Sequence, residues 1–214
     1  MMWRFVSFVV LAQLASATHA QTTPLAQIYQ GKIDKQAKAL FSMTPGDFAS
    51  KVQIKDDALE PVVTFSTVDG FQKKDGLLRM VNQDLFFRAF LAKKDRSVRF
   101  QVYASIVYMG KWQFFETVNY ETGELPESKA VTPISREVLS CSGMGGCMYT
   151  EHVGFQVPED LLRKIAEKYN PQVISVWRVR FKAKTGTDWD LMVSPAEIAG
   201  LLQAVDNFKS RIAN

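Results

Sequence analysis

The stretch Val98–Tyr108, with the sequence VRFQVYASIVY, decides the fold of this chain. Apolar residues occupy every second position along it, and the positions between them include Arg99, Gln101, Tyr103 and Ser105. A period of two places successive side chains on opposite faces of a strand. The stretch therefore predicts a half-buried strand of an antiparallel sheet, with one face in the core and one in water.

Further strands are predicted on both sides of this one, separated by turn signals such as Asp69-Gly70. They are Val62–Val68, Leu85–Ala92, Trp112–Tyr120, Ile134–Leu139, Met148–Val157 and Val173–Lys184. The polar segments Gln53–Pro61 and Glu121–Lys129 are interpreted as connections. Leu85–Ala92 is apolar on both faces, with Phe86 and Phe90 on one of them. Such a strand is either central and covered by helices, or part of an interface.

Three segments show the three- and four-residue apolar spacing of helices. They are Pro24–Phe41, Pro158–Tyr169 and Ser194–Ile212, and a further two-turn helix is predicted to start at Thr44. Ser194 and Glu197 have the spacing of a capping box. The chain is therefore predicted to be α+β. An antiparallel sheet or sandwich of about seven to nine strands carries an N-terminal helix, one inserted helix and a packed C-terminal helix.

The final strands are predicted to form a hairpin around the three-residue loop Thr185-Gly186-Thr187. This register pairs Lys184 with Asp188, Ala183 with Trp189, Lys182 with Asp190, Phe181 with Leu191 and Val179 with Val193. It leaves Arg178 and Arg180 without an opposing acid, in a cationic row that continues to the two lysines. Arg178 and Arg180 are therefore candidate anion-binding residues. The alternative is a solvated outer face.

The first residues, Met1–Ala20, have the pattern of a secretory signal peptide: Arg4, an apolar run and a small-residue end. Cleavage is predicted after Ala20, with Ala17 as the alternative site. No later apolar stretch approaches the roughly 20 residues of a membrane-spanning helix. We therefore expect an exported protein, periplasmic or secreted and soluble after cleavage. Residues 21–60 would form an N-terminal helical segment, and residues 61–214 a single α+β domain.

Cys141 and Cys147 are the only cysteines, and a flexible five-residue spacer containing three glycines separates them. Two thiols this close in an oxidising compartment are predicted to form a disulfide. A redox-active pair is the alternative, although such pairs usually have only two residues between the cysteines.

His152 is the only histidine that would remain after cleavage. A zinc site built on several histidines is therefore excluded, and a serine triad would need His152 as its base. The strand pattern places His152 on a solvated face. It places Glu151 on the opposite, apolar-leaning face, where an edge position would explain a carboxylate. No catalytic residue, metal site or cofactor is predicted.

The predicted function is binding to another protein or to an envelope component, without catalysis. A net charge of +4 is too mild to indicate nucleic acid. One alternative is an exported hydrolase that uses carboxylate or serine chemistry. Another is a carrier that holds a small apolar ligand in an enclosed cavity between sheet and helices.

Overall fold

The computed structural model describes residues 38–70, 74–75, 80–81, 83–142 and 146–213. The helices that lie wholly within these residues are α1 (Pro45–Ala49), α2 (Glu159–Ala166) and α3 (Pro195–Ala213). Its strands are β1 (Gln53–Lys55), β2 (Val62–Ser66), β3 (Lys74–Asp75), β4 (Met80–Val81), β5 (Gln83–Ala92), β6 (Val98–Gly110), β7 (Phe115–Tyr120), β8 (Glu127–Ala130), β9 (Thr132–Ser142), β10 (Gly146–Val157), β11 (Trp177–Ala183) and β12 (Trp189–Val193).

The strands form two antiparallel sheets and a two-stranded ribbon of β3 and β4. Sheet 1 has the order β1-β2-β5-β6-β10-β9, and sheet 2 has the order β12-β11-β7-β8. The mostly β, antiparallel α+β architecture with a C-terminal helix is confirmed. The predicted seven to nine strands are too few, because the described parts of the two sheets hold ten. Both β1 and β8 lie in segments predicted as connections, since these short, polar edge strands show no apolar period.

The core lies between sheet 1, sheet 2 and α3. Phe155 of sheet 1 packs on two rings of sheet 2, with ring centroids 5.4 Å from Tyr120 and 5.9 Å from Phe181. Helix α3 covers the β2 side of the same face, where the ring centroids of Phe65 and Phe208 lie 5.4 Å apart. The even positions of β6 from Phe100 to Tyr108 all point into this core. The alternation that predicted the strand therefore also predicted its buried face.

The helix predicted at the C-terminus is present as α3, and its apolar stripe is buried, with Ile198 and Leu201 at 0 % exposure. The Ser194 hydroxyl accepts a hydrogen bond from the Ala196 amide at 3.3 Å. The Glu197 carboxylate accepts a hydrogen bond from the hydroxyl of Thr67, the residue that follows β2 and bonds to Phe87 of β5, and this ties the first turn of the helix to the edge of sheet 1.

The final hairpin of β11 and β12 has a register two residues away from the predicted one. Arg180 lies opposite Asp190, and Phe181 lies opposite Trp189 rather than Leu191. The predicted three-residue loop is therefore wrong. A shift of two residues keeps every side chain on its predicted face, and Phe181 is accordingly at 0 % exposure.

The loop is longer than the predicted three residues because the residues after β11 make backbone hydrogen bonds with the connection between β6 and β7 instead of with β12. The Lys184 amide donates to the Phe114 carbonyl, and the Thr185 amide donates to the Gln113 carbonyl, both at 3.0 Å. These bonds hold the loop against the connection between β6 and β7, so Lys184 and Thr185 do not pair with β12.

The predicted signal peptide lies outside the described residues, as does most of the helix predicted over Pro24–Phe41. Residues 38–41 of that helix are helical. The described residues all belong to one compact unit, Gln36–Asn214. Within them, no helix is both long enough and apolar enough to cross a membrane.

Candidate functional site

The cations of β11, including the two predicted to bind an anion, each face a carboxylate. Arg180 makes a two-pronged ion pair with Asp190, with N–O distances of 2.5 and 3.0 Å. Arg178 lies 2.5 Å from a carboxylate oxygen of Glu121. Lys182 of the same strand pairs with Asp188, and Lys184, which follows the strand, pairs with Glu116. The prediction of an anion site assumed that Arg178 and Arg180 had no acidic partner, and the observed register and the Glu121 contact remove that assumption.

A different group of polar side chains lies on the outer face of sheet 1, away from the core. Arg88 is opposite Gln101 across β5 and β6, and Gln101 is opposite Gln156 across β6 and β10. Arg99 is two positions before Gln101 on the same face of β6. We call Arg88, Arg99, Gln101 and Gln156 the arginine face. Arg99 and Gln156 are exposed, and the other two are half-buried.

Aromatic rings hold Arg88 in place on this face. Its guanidinium carbon lies 4.1 Å from the ring centroid of Tyr103 and 5.2 Å from that of Phe86. The two rings stack on each other with centroids 4.6 Å apart. Cation–π contacts of this kind orient a guanidinium without occupying its N–H donors. Phe86 was predicted to lie on a face covered by helices or used as an interface, and here it supports an arginine.

The polar groups of the arginine face have no partner in the part of the chain that the structure describes. There, the side chains of Arg88, Arg99, Gln101 and Gln156 make no hydrogen bond or ion pair with another residue. A guanidinium offers five N–H donors in a planar fork, and a glutamine amide offers both donors and an acceptor. Among the described residues, the face therefore has hydrogen-bonding groups that no side chain uses, in contrast to the paired cations of β11.

Two adjoining clefts extend from the arginine face around the end of the sandwich. One has a volume of about 220 Å³ and is lined by Phe90, Arg99 and Gln156, among others. The other has a volume of about 260 Å³ and is lined by Arg99, Gln156 and Lys129 of sheet 2, among others. Because Arg99 and Gln156 line both, we treat the two clefts as one feature, the end groove. Glu159 also lines it.

The charges of the end groove are predominantly positive. Glu159 is ion-paired with Arg163 at an N–O distance of 2.6 Å, but the same guanidinium also pairs with Asp206 at 3.0 Å. Glu159 is therefore only partly neutralised, and the groove lining carries two cations, Arg99 and Lys129, against this one carboxylate. The Lys129 ammonium lies 5.7 Å from the centroid of the Tyr120 ring, and no described carboxylate lies within ion-pair distance of it.

Gly154 gives the Gln101 amide its position on the arginine face. A Cβ atom at residue 154 would lie 3.0 Å from the Gln101 side-chain nitrogen and 3.3 Å from the end of Ile134. The missing side chain thus leaves the space in which the Gln101 amide lies across β10.

The most completely buried charge in the described chain is Glu151, at 0 % exposure on the inner face of β10. One carboxylate oxygen accepts hydrogen bonds from the Tyr108 hydroxyl and, at 2.8 Å, from the Phe114 amide. The other accepts from Arg136 at 2.9 Å and from the Phe115 amide at 3.4 Å. The interpretation of Glu151 as an edge residue is wrong, because β10 lies between β6 and β9.

These bonds give Glu151 a structural role. Burial alone would raise the pKa of Glu151, but the hydrogen bonds from Tyr108, Arg136 and Phe114 outweigh it, so the pKa lies below its usual range. Phe114 has a φ of 54°, a conformation that costs a bulky residue free energy. The Glu151 carboxylate holds the Phe114 amide in that conformation. It therefore anchors the connection between the two sheets, and its buried, charged state does not suit a proton donor.

His152 lies on the outer face of β10, as predicted, but it is half-buried and bonded. Its Nδ1 is 2.9 Å from the Tyr103 hydroxyl. It is opposite Ser105 on β6 and Ser135 on β9, but the Ser135 hydroxyl donates to Glu137 at 3.4 Å. The described contacts thus connect His152 to the ring that supports Arg88 rather than to a serine nucleophile.

The predicted disulfide between Cys141 and Cys147 is confirmed, and it joins directly opposed residues of β9 and β10. No group of three potential metal ligands occurs within the described residues. Comparison of the chain with protein-family models, with curated proteins and with solved structures gave no match.

The arginine face was missed in the sequence because its members come from three strands. Arg99 and Gln101 were placed together on the polar face of Val98–Tyr108, which was a correct signal. Arg88 and Gln156 join them only through the pairing of β5 and β10 with β6. That strand order is a long-range property with no local sequence pattern.

Proposed function

We propose that this is an exported, non-enzymatic protein whose arginine face binds an anionic component of the cell envelope. The observation that carries the proposal is the contrast between two sets of cations on outward-facing strands. Each cation of β11 is paired with a carboxylate, whereas Arg88 and Arg99 have no acidic partner among the described residues. Two unpaired guanidinium groups on neighbouring strands attract a ligand that carries carboxylate or phosphate groups.

The geometry of the face favours binding over general surface charge. Arg88 and Arg99 are diagonal neighbours across β5 and β6, so the two residues lie about 7–8 Å apart and their Cβ atoms somewhat closer. The Tyr103 ring restricts the Arg88 guanidinium, which lowers the conformational entropy lost when an anion binds. Gln101 and Gln156 add neutral donors and acceptors between the two charges.

Binding without catalysis agrees with the environment of the two acid–base candidates. Glu151 is fully buried, and its hydrogen bonds hold its pKa below the usual range, which disfavours a role as a proton donor. His152 contacts the Tyr103 hydroxyl. Export is supported by the disulfide, which persists in oxidising compartments.

Co-sedimentation of the purified protein with isolated cell envelopes tests this proposal. The variant Arg88→Gln/Arg99→Gln should lose most of the bound fraction. The matched control Arg178→Gln/Arg180→Gln removes the same charge from paired arginines and should retain it. Raised salt should release the wild-type protein, because exposed charges are screened. If the two double variants behave alike, or if only the control variant loses binding, the arginine face is not the binding site.

A further inference from the structure

We infer that the ligand of the arginine face is a linear acidic polysaccharide that continues along the end groove to Lys129. This inference rests on the proposed function and specifies its ligand. It starts from the continuity of the two clefts, since Arg99 and Gln156 belong to both. A small anion needs only Arg99 as its partner, but further cations, Arg88 and Lys129, lie on either side of Arg99.

Three cations follow one another along this path, on three different strands. Arg88 is on β5, Arg99 on β6 and Lys129 on β8 of the other sheet. None of the three has an acidic partner among the described residues. Arg99 and Lys129 line the end groove, and Arg88 lies next to it on the arginine face. Such a series of unpaired cations fits a chain with repeated negative charges better than it fits a single charged group.

The concave shape distinguishes a chain from a membrane surface. The end groove passes from Arg99 of sheet 1 to Lys129 of sheet 2, so its cations line a cleft rather than one flat surface. A flexible linear polymer can follow the path. The shape of the groove therefore favours a chain over a bilayer, and vesicles serve as a competitor in the test below.

The neutral side chains of the path favour sugar over peptide. Gln101 and Gln156 both donate and accept hydrogen bonds, as the hydroxyl groups of a sugar require. The half-buried ring of Phe90 lines the groove beside Arg99, where it offers an apolar surface to the C–H face of a sugar ring. An acidic peptide also satisfies the cations, and its backbone pairs with glutamine amides. The preference for sugar therefore rests on the Phe90 surface, and competition with polyglutamate tests it.

Fluorescence anisotropy with labelled oligogalacturonates of increasing length tests the inference. The affinity should rise by about tenfold or more from galacturonate itself to an oligogalacturonate long enough to reach Lys129. Once one end of the chain is bound, its contact with Lys129 is an intramolecular event. Lys129→Gln should remove this gain in affinity and should have little effect on the binding of digalacturonate, which is too short to reach residue 129. Arg99→Gln should lower the affinity for both digalacturonate and the longer oligogalacturonate. The control Lys111→Gln, which removes an exposed lysine elsewhere, should change neither.

Competition with other probes separates the failure of this inference from the failure of the proposed function. Polyglutamate of equal charge and vesicles of anionic lipid should both compete much more weakly than a long oligogalacturonate. An affinity independent of length, or equal competition by polyglutamate or vesicles, would overturn the polysaccharide assignment. If envelope binding still depends on Arg88 and Arg99, the proposed function then stands. If envelope binding does not depend on Arg88 and Arg99, the proposed function and the polysaccharide assignment are both wrong.

Discussion

The guanidinium carbon of Arg88 lies 4.1 Å above the centre of the Tyr103 ring, and the Tyr103 hydroxyl lies 2.9 Å from Nδ1 of His152. The ring therefore links an arginine on β5 to a histidine on β10 across the middle of sheet 1. This relationship fixes the direction of Arg88, on which the proposed binding role depends.

Replacing Tyr103 tests whether the ring positions Arg88. Tyr103→Ala should weaken binding of an acidic polysaccharide by about 2- to 30-fold, which corresponds to a cation–π contribution of about 0.5–2 kcal/mol. Tyr103→Phe keeps the ring and loses only the hydroxyl bond to His152, so it should bind nearly as well as the wild type. Titration calorimetry measures both. Equal losses in the two variants would assign the effect to the hydroxyl.

Glu151→Gln should destabilise the fold without affecting ligand binding by the folded protein. The amide loses the ion pair with Arg136 and brings a new N–H₂ group towards the Phe114 and Phe115 amides, which are donors themselves. The free energy of unfolding should fall by about 1–3 kcal/mol, as for other unsatisfied buried polar groups. Urea denaturation measures the change. Glu137→Gln, an exposed carboxylate on β9, is the control and should lie within about 0.5 kcal/mol of the wild type.

The lowered pKa of Glu151 also predicts a pH dependence of stability. A carboxyl whose pKa is lower in the folded than in the unfolded state stabilises the fold above its unfolded pKa. This contribution is lost as the pH falls through the folded pKa. Wild-type stability should therefore decline below about pH 4–5, and the Glu151→Gln variant should decline less. Parallel stability curves for the two proteins would contradict this account.

Removing the disulfide should lower stability while leaving sheet 1 intact. The double variant Cys141→Ser/Cys147→Ser should lose roughly 2–3 kcal/mol of unfolding free energy, by the chain-entropy relation for a short loop. Thermal unfolding of the wild type with and without a reductant should reproduce the difference. Free thiols in protein taken from the exported fraction without reduction would contradict the disulfide itself.

The sequence predicted the local features of the fold well and the long-range ones less well. The alternation in Val98–Tyr108 identified both the strand and the face that is buried, because a period of two is a local property. The hairpin register was wrong, since Lys184 and Thr185 bond to a connection far away in the sequence.

For the candidate site as well, the sequence predicted which face of a strand a residue occupies, but not which residues of other strands lie beside it. Glu151 was assigned to the correct face of its strand, but its position in the middle of sheet 1 depends on strand order. Arg178 and Arg180 were recognised as a cationic row, yet whether they are free depends on partners such as Glu121, which lies on a different segment. Pairing of charges across a sheet is decided by tertiary structure and cannot be read from one strand.

The most direct test of the central claim is to observe the arginine side chains while an acidic polysaccharide is added. In NMR spectra that resolve the Nε–H groups, assigned by single substitutions, those of Arg88 and Arg99 should shift progressively on addition of oligogalacturonate. The Nε–H signals of Arg178 and Arg180, whose Nε–H groups are already bonded to Glu121 and Asp190, should keep their chemical shifts. Shifts confined to Arg178 and Arg180, or no shift at any of the four, would contradict the account.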